Sequence, residues 1–216
     1  MNPFITHTGI AAPLLRRNID TDAIIPSREM KRVSKSGLGE GLFAGWRYTL
    51  PGGRERNPSF VLNRPEYQGA SIVLAGDNFG CGSSREHAVW ALAEFGIRAV
   101  IASGFGAIFH TNCIRNGVLP VCLGEDDINA LALRVQRDPQ SNLVEIDLQK
   151  SLVRCADLEC SFVLEEGARY MLLNGLDPIA LTLQQNELID KYERVRRNKH
   201  AWAFAPFEDR VEGALP

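Results

Sequence analysis

The chain has 216 residues, 45% of them hydrophobic and 23% charged, with a formal net charge of -2 at pH 7. That is enough apolar material for one good core, and the mildly acidic balance excludes a general attraction for nucleic acid or an anionic membrane, so any anion site has to be local. Five cysteines, at 81, 113, 122, 155 and 160, form neither a C-x-x-C pair nor a zinc spacing; an odd count, no basic-then-apolar leader and no run of membrane-spanning length give the expectation of a reducing, cytoplasmic compartment.

Residues 1 to 17 carry short apolar pieces, Phe4-Ile5 and Gly9 to Leu15, suited to a strand and a turn. Asn18 to Pro26 places an Asp-Thr-Asp turn before Ala23-Ile24-Ile25, which reads as a short buried strand closed by proline. Asp20 and Asp22 are turn formers whose side chains bond nearby amides. From Ser27 to Asn63 the pattern is irregular, with mixed charge and Gly37, Gly39, Gly41 and Gly45 in close succession. A segment this long without a period is a functional loop or an interaction surface.

Residues 70 to 121 read as β-α-β-α-β. Ile72-Val73-Leu74 is a strand, residues 84 to 95 are a helix with Val89, Leu92 and Phe95 at helical spacing, and Gly96 is its C′ residue. Arg98 to Ala102 is the next strand; a second helix runs from about Gly106 to Asn116 and ends at Gly117, and Val118 to Cys122 returns to the sheet. Strands alternating with single helices imply parallel pairing, with ligands at the strand carboxyl ends. His110, Asn112 and Cys113 fall on the second helix and are assigned to packing or capping. Asp126 to Arg137 is a helix with Ile128, Leu131 and Val135 on one face. Leu143 to Leu148 alternates like a half-buried strand, and Leu152-Val153 and Ser161 to Leu164 pair with it as a small antiparallel unit. Glu165 to Asn174 makes a helix stopped by Gly175, and Leu188, Ile189, Tyr192 and Val195 mark the apolar side of a C-terminal helix whose basic run, Arg194 to Lys199, is a solvated end. The expected division is one α/β domain over 1–200 and a C-terminal tail over 201–216, its apolar part Ala201 to Phe207 docking on this domain or on a partner.

The polar residue types that carry chemistry concentrate between the strand at 70–75 and the helix that follows it. Gly76, Gly80 and Gly82 let the backbone take positive φ and let a ligand approach closely. Ser83, Ser84 and Arg85 then stand at a helix N-terminus, where free N–H groups and a partial positive charge stabilise a carboxylate or oxyanion. The same spacing, Ser83 to Glu86, fits a capping box in which Ser83 is only an N-cap, and the residues alone leave both readings open. This is no phosphate loop, because the lysine of G-x-x-x-x-G-K-[ST] is missing.

The run Asp77-Asn78-Phe79-Gly80-Cys81-Gly82-Ser83-Ser84-Arg85-Glu86-His87-Ala88 resembles the signature of the mobile domain of the aconitase superfamily. Three more blocks agree in order: Asn18 to Pro26, Phe105 to Pro120 and Asn174 to Leu183. Together, from about residue 4 to residue 193, they resemble the small-subunit family of bacterial 3-isopropylmalate dehydratases. The resemblance implies an aconitase-type swivelling β/β/α domain, with a mostly parallel central sheet and a small antiparallel unit. It implies stereospecific removal and re-addition of water on a hydroxy-dicarboxylate, interconverting 2-isopropylmalate and 3-isopropylmalate through 2-isopropylmaleate in leucine biosynthesis. By the same resemblance Ser83 is the base, Ser84 and Arg85 hold a substrate carboxylate, and Asp22 has a supporting role beside the site.

Enzymes of this family use a [4Fe-4S] cluster whose open iron binds the substrate hydroxyl, and this chain lacks the cysteine set that would hold one. The expectation is therefore no cofactor on this chain, a cluster on a separate large subunit, a heterodimer or larger assembly, and no activity alone. Nucleic acid and membrane are not expected partners. The resemblance places substrate selection just after Pro26, where Glu29-Met30 stands in place of an expected aromatic-leucine pair. Met30, flexible and unbranched, suits an apolar pocket for an isopropyl group; Glu29 does not unless it points away. That departure keeps open a related hydro-lyase subunit acting on citraconate and 2-methylmalate.

Overall fold

The computed structural model describes residues 1–30, 36–83 and 85–204. In chain order the regular elements are β1 (Thr6–Gly9), β2 (Ala11–Leu14), α1 (Thr21–Ile24), α2 (Ala44–Arg47), β3 (Ile72–Ala75), α3 (Glu86–Phe95), β4 (Ala99–Ala102), α4 (Ala107–Asn116), β5 (Leu119–Cys122), α5 (Glu125–Arg137), β6 (Val144–Asp147), β7 (Leu152–Cys155), β8 (Leu158–Ser161), α6 (Glu166–Asn174), α7 (Pro178–Leu183) and α8 (Asn186–Lys199). Short 3-10 turns punctuate the long connection from β2 to β3. The chain divides into two compact units, one over Met1–Asp177 and one that begins at Pro178.

Both sheets belong to the first unit. β2, β3, β4 and β5 form a four-stranded sheet in chain order, and every neighbouring pair is parallel. The runs Ile72-Val73-Leu74-Ala75 and Ala99-Val100-Ile101-Ala102 are buried at every position, as strands covered on both faces must be. α3 and α4, the helices of the two βαβ crossovers, pack against each other, whereas α5 packs on β2, β3 and β4 and also on β7 and β8. α5 therefore lies between the parallel sheet and an antiparallel sheet of order β1-β6-β7-β8. Ile10 alone separates β1 from β2 and carries the chain from one sheet to the other. The α/β class, the parallel sheet and the separate antiparallel unit agree with the reading of the sequence.

Glycines end the helices where the sequence places them: Gly96, Gly117 and Gly175 sit at φ 107°, 75° and 66° after α3, α4 and α6, a backbone region that costs other residues strain. Two elements differ from expectation. Ala23-Ile24-Ile25 is not a strand: Asp20 Oδ1 accepts from the Ala23 N–H at 2.7 Å, and the N–H groups of Ile24 and Ile25 reach back to the carbonyls of Asp20 and Thr21. A capped helical turn satisfies those amides locally. The last strand of the antiparallel sheet is Leu158–Ser161 rather than Ser161 to Leu164, because Ala156 takes φ 52° and closes a two-residue hairpin in which Cys155 faces Leu158. None of the five cysteines is in a disulfide, and no helix among the described residues is long and apolar enough to cross a membrane.

Candidate active site

The loops that leave the carboxyl ends of β2, β3 and β4 run side by side and are laced by main-chain hydrogen bonds. On one side the Asn18 N–H donates to the Asp77 carbonyl at 2.8 Å, that of Gly80 to Ile19 at 2.7 Å and that of Thr21 to Cys81 at 3.0 Å. On the other, Phe79 donates to the Gly104 carbonyl and Gly106 to that of Phe79, both at 2.9 Å. The glycine turn is thus the middle of three extended segments, its buried amides paired as burial demands. Asn18 and Asn78 each take positive φ, 54° and 58°, and Asn78 Nδ2 donates to Asn18 Oδ1 at 2.8 Å. Close approach explains two glycines: a Cβ at Gly80 would overlap the Phe109 ring, and one at Gly106 would press on the Gly80 carbonyl. Phe109 stands edge-on to Phe79, ring centroids 5.3 Å apart, and fixes the floor of the turn.

A cleft of about 290 Å³ opens above this floor, lined by Thr21, Gly82, Ser83 and Arg85 on one side and by Gly106 to Phe109 on the other. α3 begins one residue after Arg85, and α4 begins at the opposite wall. Each helix start carries unpaired N–H groups equivalent to about half a positive charge, so the cleft favours an anion from both sides. Thr21 is 2% exposed; its hydroxyl donates to the Ser83 carbonyl at 3.0 Å and lies 3.4 Å from Ser83 Oγ. Arg85 Nη1 forms an ion pair with Asp22 Oδ1, so the first turn of α1 orients the guanidinium. The capping-box reading is not what the described residues show. Arg85 occupies the N-cap of α3, and the Glu86 carboxylate accepts instead from Asn116 Nδ2 at 2.8 Å, while Asn116 Oδ1 accepts from Trp90 Nε1 at 2.9 Å. That network ties α3 to α4.

Ser83 and Arg85 thus share one cleft, and Asp22 joins them through the ion pair. Ser84 lies outside the described residues, as do Lys31 and Arg32 of the expected selectivity segment Arg28 to Arg32. Met30 is half-buried against the core and is not in the cleft lining. The Glu29 side chain is 8% exposed and points to Arg54, whose Nη2 donates to it at 2.7 Å, with Arg28 Nε at 3.4 Å. Of the residues assigned to packing, Asn112 and Cys113 are buried, and burial raises the Cys113 thiol well above its ordinary value. Burial also lowers His110, whose ring meets Phe105 edge-on. Thr21 and Ile108 were not anticipated. Thr21 carries the one signal available, a hydroxyl between two turn-forming aspartates. Among the described residues no three His, Cys, Asp or Glu side chains come together as a metal site.

The aconitase C-terminal domain family model matches residues 1–126 of the chain. The chain is 60% identical over 203 residues to a protein of Cupriavidus necator named 3-isopropylmalate dehydratase small subunit, covering 94% of this chain and 98% of that protein. A protein of the same name from Brevibacillus brevis is 49% identical over 197 residues, 91% of this chain and 100% of its own length. Among solved structures, a 3-isopropylmalate dehydratase chain from Methanocaldococcus jannaschii superposes with a TM-score of 0.64 at 29% identity, covering 88% of this chain and 99% of that one. A family match over more than half the chain, near-complete relatives at this identity and a shared fold have one reading: the chain belongs to the family of 3-isopropylmalate dehydratase small subunits, within the aconitase superfamily.

Proposed function

We propose that this chain is the small subunit of a cytoplasmic hydro-lyase that interconverts 2-isopropylmalate and 3-isopropylmalate through 2-isopropylmaleate, acting in leucine biosynthesis together with a large subunit. The observation that carries the reading is the convergence of Ser83 and Arg85 on one cleft flanked by two helix starts. In this reading a [4Fe-4S] cluster held by the large subunit supplies Lewis-acid stabilisation of the departing hydroxyl. The chemistry left to this chain is to take a proton from a weakly acidic C–H and to hold the carboxylate next to it.

A serine oxygen is a poor base unless its anionic form is stabilised. The start of α3 and the Arg85 guanidinium place positive potential beside Ser83 Oγ, and preorganised donors of this kind are often the largest catalytic contribution. Ser83 Oγ takes the proton in dehydration and returns it in hydration. Arg85, fixed by Asp22, grips a substrate carboxylate with its planar fork, with Ser84 as the neighbouring donor. The large subunit closes the open side of the cleft and excludes water. Glu29 does not oppose an isopropyl group, because its carboxylate is engaged by Arg54 and it is not in the cleft lining, where the exposed bulky apolar side chain is Ile108.

The test is co-expression with the large subunit, reconstitution of the cluster, and comparison of 2-isopropylmaleate with citraconate hydration. Ser83→Ala is expected to assemble normally and to lose about 10²–10⁴-fold in kcat, the span of general-base catalysis. Normal turnover by Ser83→Ala would remove Ser83 from the base role, and preference for citraconate would replace the isopropyl substrate.

A further inference from the structure

Away from the serine turn, the connection from β2 to β3 folds around a second concavity of about 310 Å³, lined by Arg47, Arg56, Arg64, Tyr67, Leu62 and Phe95 among others, and by no carboxylate residue. Arg47 is 7% exposed. Its guanidinium donates to the carbonyls of Gly39 at 3.0 Å and Glu40 at 2.8 Å and to the Tyr48 hydroxyl at 2.5 Å, and lies over the rings of Tyr48 and Phe95. Every acceptor of these hydrogen bonds is neutral, and Glu94, the acid that meets the same turn, accepts from the N–H groups of Leu38 and Gly39. Arg64 gives Nη2 to the Ser59 carbonyl at 3.1 Å, and the Arg56 side chain has no hydrogen bond or ion pair with any described residue. The neighbouring acids make no ion pair with these three arginines among the described residues, although burial raises the Tyr67 pKa and the Glu66 charge adds to that rise. Glu55 accepts from Thr49 Oγ1 at 3.0 Å. Tyr67 is 4% exposed, and its hydroxyl has no hydrogen-bond partner among the described residues.

We propose that this concavity is a binding site for a small dianion, a dicarboxylate or a phosphate. Arg56 and Arg64 hold its charged ends, the Tyr67 hydroxyl donates to it, and Arg47 supplies the buried positive charge behind them. Arginine forks match either oxyanion bidentately, and Leu62 and Phe95 accommodate a short carbon chain. A bound anion would also brace the turn at 37–41, because Arg47 holds the carbonyls of Gly39 and Glu40 while Glu94 of α3 accepts the N–H groups of Gly37, Leu38 and Gly39 at 2.5, 2.5 and 2.8 Å.

The experiment is calorimetric titration of the full chain with inorganic phosphate and with succinate, at fixed ionic strength. An Arg85→Gln background silences the cleft at the serine turn. One saturable site is expected to survive Arg85→Gln, to weaken at least tenfold in Arg56→Gln/Arg64→Gln, and to weaken less in Tyr67→Phe. Binding of one anion and not the other supports the site and names its ligand. Absence of saturable binding of both anions, or binding untouched by the double substitution, overturns the proposal. Amide NMR shifts in the unsubstituted arginine pair give an independent readout should the double variant unfold: they must cluster between residues 47 and 69, and a cluster elsewhere overturns it.

Discussion

Replacing Thr21 by valine keeps the shape of the side chain and removes a single oxygen. That oxygen donates to the Ser83 carbonyl at 3.0 Å and lies 3.4 Å from Ser83 Oγ, on a residue only 2% exposed. A buried acceptor deprived of its donor costs about 1–3 kcal/mol. Ser83 itself is exposed, so water reaches its carbonyl and the lower end applies, about 1 kcal/mol. For a chain of this size that is a fall of about 2–4 °C in melting temperature, small against the total stability of about 5–15 kcal/mol typical of native proteins. The effect on rate should be larger than the effect on stability, because the lost bond pins the backbone of the residue whose hydroxyl has to meet the substrate, and a displacement near 1 Å costs about 10²-fold. Thr21→Val, co-expressed with the large subunit and assayed for 2-isopropylmaleate hydration, is expected to lose about 10- to 100-fold in kcat with little change in KM, and Thr21→Ser to recover most of it. A wild-type kcat in Thr21→Val, or a Thr21→Ser as slow as the valine variant, would refute the positioning role.

Asp22→Asn breaks an ion pair whose side chains are 27% and 55% exposed, and pairs that wet contribute about 0–1 kcal/mol to stability. The melting temperature should therefore barely move, while KM rises about tenfold as Arg85 loses its orienting partner, a change of about 1.4 kcal/mol; a lower melting temperature at unchanged KM would make the pair a structural tie. Gly80→Ala adds a methyl group at φ 73° against the Phe109 ring. The left-handed conformation costs about 1–2 kcal/mol and overpacking about 1–3 kcal/mol, so urea denaturation should register a loss of about 2–5 kcal/mol, and a loss below about 1 kcal/mol contradicts the packing argument. Burial lowers the pKa of His7, with the Arg98 charge adding to the shift, and burial alone lowers that of His110. The unfolded chain then binds more protons below about pH 6.5, so the stability these residues contribute is complete above that pH and is lost as pH falls through their folded pKa values. His7→Gln and His110→Gln should each flatten the stability profile just below pH 6.5, whereas Asp138, Asp147 and Asp157, also lowered, act only below their ordinary value near 3.8.

The parallel sheet was legible because its strands are continuous apolar runs and its helices end at glycines. Ile72 to Ala75 and Ala99 to Ala102 need no knowledge of distant residues to be read as buried strands, and Gly96 and Gly117 mark their helix ends by backbone sterics alone. What local spacing misreads is any choice settled by a distant competitor. Ser83 and Glu86 have capping-box spacing, but Asn116, thirty residues along, takes the Glu86 carboxylate. Ala23-Ile24-Ile25 is apolar at every position and has no period to separate strand from helix; the Asp20 cap decides it. The hairpin at Ala156 lacks the Asn-Gly or Asp-Gly pair that announces a tight turn, and the strand after it shifts accordingly. The candidate site divides along the same line. Ser83, Arg85 and Asp22 came from motif blocks, and the structure brings them together; Thr21 is visible only once the turn after β2 is seen lying against the turn after β3. Met30 is a different case: its chemistry suits an apolar pocket, and in this chain the segment around it is held by Glu29 and Arg54 with Met30 half-buried outside the cleft lining. Under the proposed function, selectivity for the alkyl group would draw on the apolar side chains that line the cleft. On this chain the exposed apolar side chain already there is Ile108, 54% exposed at the start of α4.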